Sequence, residues 1–313
     1  MEYRQLGNSG VRVSLIGLGA NQFGRKVEQA NVNNIIDTAL DMGVNFIDTA
    51  DVYTDGESEK ALGEALKGKW DKFVVATKVY FPVGDGPNDR GASRYHIMNG
   101  VEASLRRLQS DHIDLYQLHR WDETTPIAES LRALDDLVSS GKVRYIGASA
   151  YAAWQLAEAN LLAELRGWSS FVTVQSHYHM LEREVEKEVI PYCRTHNVGF
   201  IPYFPLAGGF LTGKYKRGQG APAGSRGETS SYVQNYMTDA NYTIVEQLTT
   251  WAEDRDHTMA ELALAWLLAQ PQVCSVISGL TRLEHLQQNV KAADWELTAV
   301  DLEEINAILN STR

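Results

Sequence analysis

Short runs of β-branched and aromatic residues recur along the chain, each followed by a polar loop and then by a stretch with apolar positions at helical spacing. The pattern begins with Tyr3–Ser14, which reads as a hairpin turning at Gly7-Asn-Ser-Gly10. Leu15–Gly19 follows as a buried strand. Further strands are expected at 46–48, 73–77, 113–118, 145–149, 172–176, 199–203 and 274–277. Helices are expected at about 31–42, 57–67, 94–110, 126–140, 151–166, 183–196, 241–270 and 283–292. The 241–270 stretch should break in two near Asp256-His257.

Eight strands in strict alternation with helices imply a parallel sheet, because parallel neighbours need a crossover. Over this length the expected class is α/β, a closed (β/α)8 TIM barrel with an N-terminal β-hairpin and long βα loops. No linker or change in composition interrupts residues 1–313, so one domain is expected. The long loops are 79–93 and 205–240. Both follow strand C-termini, the face on which such barrels carry their chemistry.

Composition narrows the function classes. A net charge of −11 disfavours a nucleic-acid binder, which would carry a basic face. No apolar run approaches the ~18 residues of a membrane span, and Met1-Glu-Tyr-Arg-Gln is not the start of a signal peptide. Cys193 and Cys274 are expected as buried free thiols in a reducing compartment, hence a cytoplasmic location.

Several motifs fall short. Gly17-Leu-Gly19-Ala-Asn-Gln22 has Gln22 where a dinucleotide fingerprint needs a third glycine. In Gly208-Gly-Phe-Leu-Thr-Gly213-Lys214-Tyr215, Tyr215 replaces the hydroxyl that a phosphate loop offers to Mg²⁺, which excludes an NTPase. Its glycines and lysine could still serve a phosphate through N–H groups and charge. His177 and His179 share a strand face but have no third ligand nearby, so no metal site is expected.

One constellation remains. Consecutive strand ends deliver Asp48 with Tyr53, then Lys78, then His119. A phenol with a pKa of about 10 is a poor acid at neutral pH. A neighbouring ammonium stabilises the phenolate and should pull its pKa toward the working range, and a carboxylate holds that ammonium charged. A neutral histidine can orient a carbonyl oxygen. Such a set suits protonation of a carbonyl oxygen while hydride reaches its carbon; with no nucleophile beside a base, hydrolysis fits poorly.

The motifs Gly43-Val-Asn-Phe-Ile-Asp-Thr-Ala-Asp-Val-Tyr53, Ser58-Glu-Lys-Ala-Leu-Gly63, Ala76-Thr-Lys78, Asp114-Leu-Tyr-Gln-Leu-His119, Gly141–Ser149 and Ile277-Ser-Gly279 through Gln288-Asn289 carry a resemblance. From Tyr3 to about Ile308 the chain resembles the aldo-keto reductase superfamily, in the style of the bacterial long-loop branch related to potassium-channel beta subunits. The resemblance implies a barrel binding NADP(H), with Tyr53 as general acid, Asp48 and Lys78 as its tuning pair and His119 as the carbonyl orienter. Histidine at that position implies carbonyl rather than double-bond reduction.

For the cofactor, it implies Ala20, Asn21 and Asp48 near the first strands, with Ser149 and Gln175 at the carboxamide. The usual Asn after the serine is Ala150 here. Tyr203 falls where an aromatic stacks on nicotinamide, and Leu206, Gly208, Lys214 and Arg226 fall where the long loop wraps the pyrophosphate. Gly279, Thr281 and Arg282 match the 2′-phosphate loop, with Gln288 and Asn289 toward the adenine. Arg282 can pair bidentately with a phosphate, which favours NADP over NAD.

The pocket mouth would be lined by Phe23, Tyr80, Phe81, Arg120 and Trp121, with Asn21, Tyr232 and Tyr236 nearby. This favours a flat or apolar small-molecule carbonyl, with Arg120 an anchor for a negative group. Aldehydes, ketones, sugar-derived carbonyls and steroid- or toxin-like ketones all meet that description. The expected function is reversible NADPH-dependent reduction of aldehydes and ketones. Its rivals are a nucleotide-binding regulatory or redox-sensing subunit with little turnover, and a proton-shuffling isomerase or lyase. The long-loop branch includes assemblies of several subunits, so a homo-oligomer is compatible with the resemblance.

Overall fold

Eight strands pair in parallel around a closed ring, and the residues before each helix explain why the chain turns where it does. The computed structural model describes residues 1–311. An antiparallel hairpin, β1 (Tyr3–Gln5) and β2 (Arg12–Ser14), precedes the barrel. The barrel strands are β3 (Ile16–Gly19), β4 (Phe46–Asp48), β5 (Val74–Val79), β6 (Ile113–Leu118), β7 (Val143–Ser149), β8 (Phe171–His177), β9 (Gly199–Tyr203) and β10 (Val276–Gly279). They run in the order β10-β3-β4-β5-β6-β7-β8-β9. The ring closes where Phe200 of β9 donates to the Gln272 carbonyl (2.9 Å) and accepts from Cys274 N–H (3.0 Å).

Helices α1 (Gln29–Asp41), α2 (Glu57–Ala65), α3 (Arg94–Leu108), α4 (Ile127–Ser139), α5 (Ala153–Arg166) and α6 (Val189–His196) follow successive strands. α7 (Arg226–Thr229) and α8 (Ser231–Gln234) lie in the long connection after β9. α9 (Asp239–Glu253), α10 (Met259–Leu268), α11 (Leu283–Ala292) and α12 (Ala299–Asn310) complete the chain. No described helix is long and apolar enough to cross a membrane.

Several boundaries differ from the sequence expectation, with local causes. β5 runs to Val79, so Lys78 lies within the strand rather than after it. β10 lies two residues later than 274–277, which makes Gly279 its last residue. The 183–196 helix begins only at Val189, preceded by a 3-10 turn at Glu184–Glu186. Pro191 has no N–H and is tolerated in a first turn, so it fixes that late start. The break between α9 and α10 comes at Asp256, with φ +61, before a capping box of Thr258 and Glu261. The sequence reading omitted α12, although Thr298 and Asp301 form the same signature there.

Alternation along the strands sorts the core. Phe46, Ala76, Leu115, Ile201 and Ile277 fill the barrel interior together with Leu6 and Val13 of the hairpin, which plugs its N-terminal end. The outward-facing strand residues pack against the helices in a larger cluster. Gly7, at φ +59, lets the hairpin close the floor: a Cβ there would stand 2.0 Å from the Val172 carbonyl oxygen. With one end sealed, the inward polar positions collect at the other.

Candidate active site

Asp48 ends β4, Lys78 lies near the end of β5, and Gln117 and His119 stand at the end of β6. Parallel registration brings these strand ends side by side. Lys78 has no solvent exposure; its Nζ donates to Asp48 Oδ2 (2.7 Å), to the Thr49 carbonyl (2.7 Å) and to the Tyr53 hydroxyl (3.4 Å). Gln117 Nε2 donates to the other Asp48 oxygen (3.3 Å). Tyr53 opens a tight turn in which Thr54, Asp55 and Gly56 all take positive φ. That turn folds the phenol back over the lysine, and Thr54 Oγ1 ties it to the Phe23 carbonyl (2.9 Å).

The His119 ring meets Tyr53 edge to face, with centroids 5.8 Å apart, and Phe81 packs against its other side at 4.8 Å. Burial, aided by the charges of Lys78 and Arg120, pushes the His119 pKa down to about 2, so the imidazole is neutral. Burial alone would lower the Lys78 pKa; the Asp48 carboxylate and the Tyr53 oxygen outweigh it and hold the pKa above its ordinary value. For Tyr53 the expectation needs correcting. Burial raises its pKa, Lys78 lowers it, Asp48 raises it, and the net direction is upward. The lysine limits the rise but does not bring the phenol toward neutrality.

A second carboxylate lies three residues beyond the first. Asp51 is buried, and neither of its oxygens has a hydrogen-bond partner. Burial and the nearby Glu59 push its pKa up to about 7, against Arg107, which ion-pairs with Glu59 instead (2.7 Å). The Tyr116 hydroxyl is likewise unpartnered. Neither Asp51 nor Gln117 stood out in the sequence. Alternation in Ile113–Leu118 places Gln117 on the inward face, two residues before His119, and could have singled it out.

The remaining predicted residues occupy the rim. Ser149 and Gln175 are register partners on β7 and β8, both buried, and Gln175 Nε2 has no partner. Ala20 is buried against the end of β4, its N–H donating to the Asp48 carbonyl (2.9 Å), and the following Asn21 has an orphaned Oδ1. A Cβ at Gly279 would meet Asn21 Oδ1 at 3.1 Å and Arg226 Nη2 at 4.0 Å, so these three groups converge. Lys214 reaches back over Gly209 of the Ala207–Thr212 turn, where Leu206 and Gly208 also sit. Thr281, Arg282 and Gln288 are exposed at and beyond the β10 end, and Asn289 is buried on α11. Among the described residues, Lys214, Arg226 and Arg282 have no carboxylate within ion-pair distance, while Arg217 of the same long loop is paired twice.

Tyr203 ends β9, and its ring is stacked with that of His177 (5.3 Å, interplanar angle 8°). His179 Nδ1 accepts the Leu181 N–H (3.2 Å), so its proton is on Nε2 and is donated to His177 Nε2 (3.1 Å). The Tyr232 hydroxyl meets the same nitrogen of His177. A metal-bound histidine normally donates through its second nitrogen, whereas that of His179 accepts. The pair therefore braces Tyr203 and the long loop. Of the predicted pocket lining, Tyr80, Phe81 and Arg120 cluster at the mouth. Trp121 packs on Tyr151 and Trp154, and Phe23 is wholly buried in the core, so Phe23 supports its loop instead of lining the opening.

Residues 15–310 match the Aldo/keto reductase family. An oxidoreductase of Bacillus subtilis, YrpG, is 39% identical over 98% of this chain and 96% of its own length. A probable voltage-gated potassium channel subunit beta of Arabidopsis thaliana is 37% identical over 99% of this chain and 97% of that protein. Versiconal hemiacetal acetate reductase of Aspergillus parasiticus is 34% identical, covering 97% and 95%.

Proposed function

Since the chain belongs to the aldo/keto reductase family, we propose that it is a cytoplasmic NADPH-dependent reductase of aldehydes and ketones, working reversibly through Tyr53. The observation that carries this reading is the buried Asp48–Lys78–Tyr53 chain ending beside a neutral His119. His119 donates a hydrogen bond that fixes the carbonyl oxygen near the phenol. Tyr53 gives its proton to that oxygen as the carbonyl carbon is reduced. Lys78, kept charged by Asp48, stabilises the phenolate left behind. The raised Tyr53 pKa suits a group that must arrive protonated; the lysine makes loss of the proton bearable in a dry site.

The rim residues fit a dinucleotide phosphate. Gln175 Nε2 and Asn21 Oδ1 are buried polar atoms without partners, and unpaired cations at Lys214, Arg226 and Arg282 match a pyrophosphate and a further phosphate. When bound, the reduced nicotinamide would supply hydride, with Ser149 and Gln175 holding its carboxamide and Tyr203 backing its ring. Gly208 and Leu206 shape the loop over the pyrophosphate, while Gly279, Thr281, Gln288 and Asn289 flank the adenosine end.

The relatives named as channel beta subunits support a second reading, a nucleotide-binding subunit with little turnover. Consumption of NADPH with a panel of carbonyl compounds separates the two. Saturable turnover supports the reductase. Nucleotide binding without turnover of any carbonyl would favour the regulatory reading.

A further inference from the structure

We propose that the carbonyl compound taken by this site is aromatic and anionic, an aryl aldehyde or ketone carrying a carboxylate that Arg120 binds. This rests on the reductase reading above and names its substrate class.

Arg120 directly follows His119, and its guanidinium lies 5.9 Å from the Phe81 ring, whose centroid is 4.8 Å from that of His119. One aromatic ring thus spans the distance between the carbonyl-orienting imidazole and a positive charge. A substrate with its carbonyl at His119 and an anion across its own ring would match that spacing. Among the described residues, Arg120 has no carboxylate within ion-pair distance. The nearest in sequence, Asp122, is committed elsewhere. Its oxygens accept from Ala92 N–H (2.7 Å), Thr124 N–H (2.9 Å), Thr124 Oγ1 (2.7 Å) and Thr125 Oγ1 (2.9 Å).

Arg120 therefore keeps its charge free in a chain of net charge −11. Its field is felt at the site: it adds to the burial that lowers the His119 pKa and opposes the burial that raises that of Tyr203. Glu182 acts oppositely on Tyr203, Tyr232 and Tyr236, so an anion is repelled from the long-loop side and drawn to the Arg120 side. Phe81 meets Tyr80 and His119 edge to face, which lines this corner with aromatic carbon beside the imidazole and suits an aryl group better than a polyol.

The test uses 4-carboxybenzaldehyde and 4-(trimethylammonio)benzaldehyde as substrates of the full chain with NADPH, in low salt. The ratio of kcat/KM, anion over cation, is measured in the wild type and in Arg120→Met, Arg120→Lys and Arg120→Glu. Dividing the two ratios removes the intrinsic reactivity difference of the aldehydes. The wild-type ratio should exceed that of Arg120→Met by about tenfold, through KM, and shrink in high salt. Arg120→Lys should retain part of it, and Arg120→Glu should favour the cation. A ratio indifferent to residue 120, with both aldehydes reduced, overturns the inference alone. No turnover of either, or of any other carbonyl, overturns the reductase reading and this inference with it.

Discussion

The barrel mouth has two halves that are built on opposite principles. At the β4–β6 ends, the polar groups of Asp48 and Lys78 are consumed by one another, by Gln117 and by the Thr49 carbonyl, leaving Tyr53 and His119 as the working surface. At the rim from β7 round to the end of β3, Gln175 Nε2 and Asn21 Oδ1 are buried without partners, and among the described residues Lys214, Arg226 and Arg282 have no carboxylate within ion-pair distance. The Asp48–Lys78 pair at the centre of the first half is satisfied by its own contacts, which suits a reaction centre whose charges must not reorganise during the step. The second half is left with unmet hydrogen bonds, an arrangement stable only if a ligand or water meets them. The difference teaches where a ligand's binding energy would enter on the proposed reading: a nucleotide would complete the rim, while the substrate would meet a charge pair already assembled.

The largest expected effect breaks the first half. Tyr53→Phe removes the proposed proton donor and should lower kcat by a factor of about 10²–10⁴ while leaving NADPH affinity nearly intact. Steady-state rates beside a binding titration check this; surviving turnover would remove Tyr53 from the acid role.

Next comes the buried carboxylate of that half, Asp51, whose oxygens have no partner. Its folded pKa of about 7 lies above the ordinary value of 3.8, so between these values the folded chain holds a proton that the unfolded chain has lost. Stability contributed by this group is therefore lost as pH rises from about 4 to about 7, by up to about 4 kcal/mol. Asp51→Asn should remove that slope and be more stable than the wild type at pH 7. Urea unfolding of both proteins across this range measures it. A wild-type-to-variant difference independent of pH would show that Asp51 is not the titrating group.

A smaller change sharpens the unfinished half. Ala150 follows the last residue of β7 with φ +54, a conformation costing about 1 kcal/mol for alanine and better tolerated by asparagine. Ala150→Asn should raise stability by about 0.5–1 kcal/mol and tighten nucleotide binding modestly through a new amide. Thermal melts with and without NADPH report both, and a lower melting temperature would contradict it.

Much of this was legible in the sequence because it is written locally. The run Phe46-Ile-Asp48 announces a strand that surfaces at a carboxylate, and Ile113–Leu118 announces another that surfaces at His119. Their parallel pairing follows from the intervening helices. What was not legible depends on three-dimensional neighbours. Phe23 reads as a pocket aromatic until the core closes over it. The effect of Lys78 on Tyr53 has the expected sign, but burial, which no spacing reveals, sets the net direction. Asp51 looks like one more loop acid until its burial and lack of partners are seen. α12 is a different case: its capping signature at Thr298 and Asp301 and the apolar Ile305 and Leu309 are local signals, legible without any three-dimensional neighbour.

The most direct test of the account is a Trp-fluorescence titration of the wild type and of Arg282→Ala with NADPH and with NADH. The account predicts that the wild type binds NADPH more tightly, and that Arg282→Ala weakens NADPH by about tenfold or more while NADH is nearly unchanged. Equal affinity of the wild type for both nucleotides, untouched by the substitution, would contradict the phosphate clamp. Binding of neither would contradict the reductase itself.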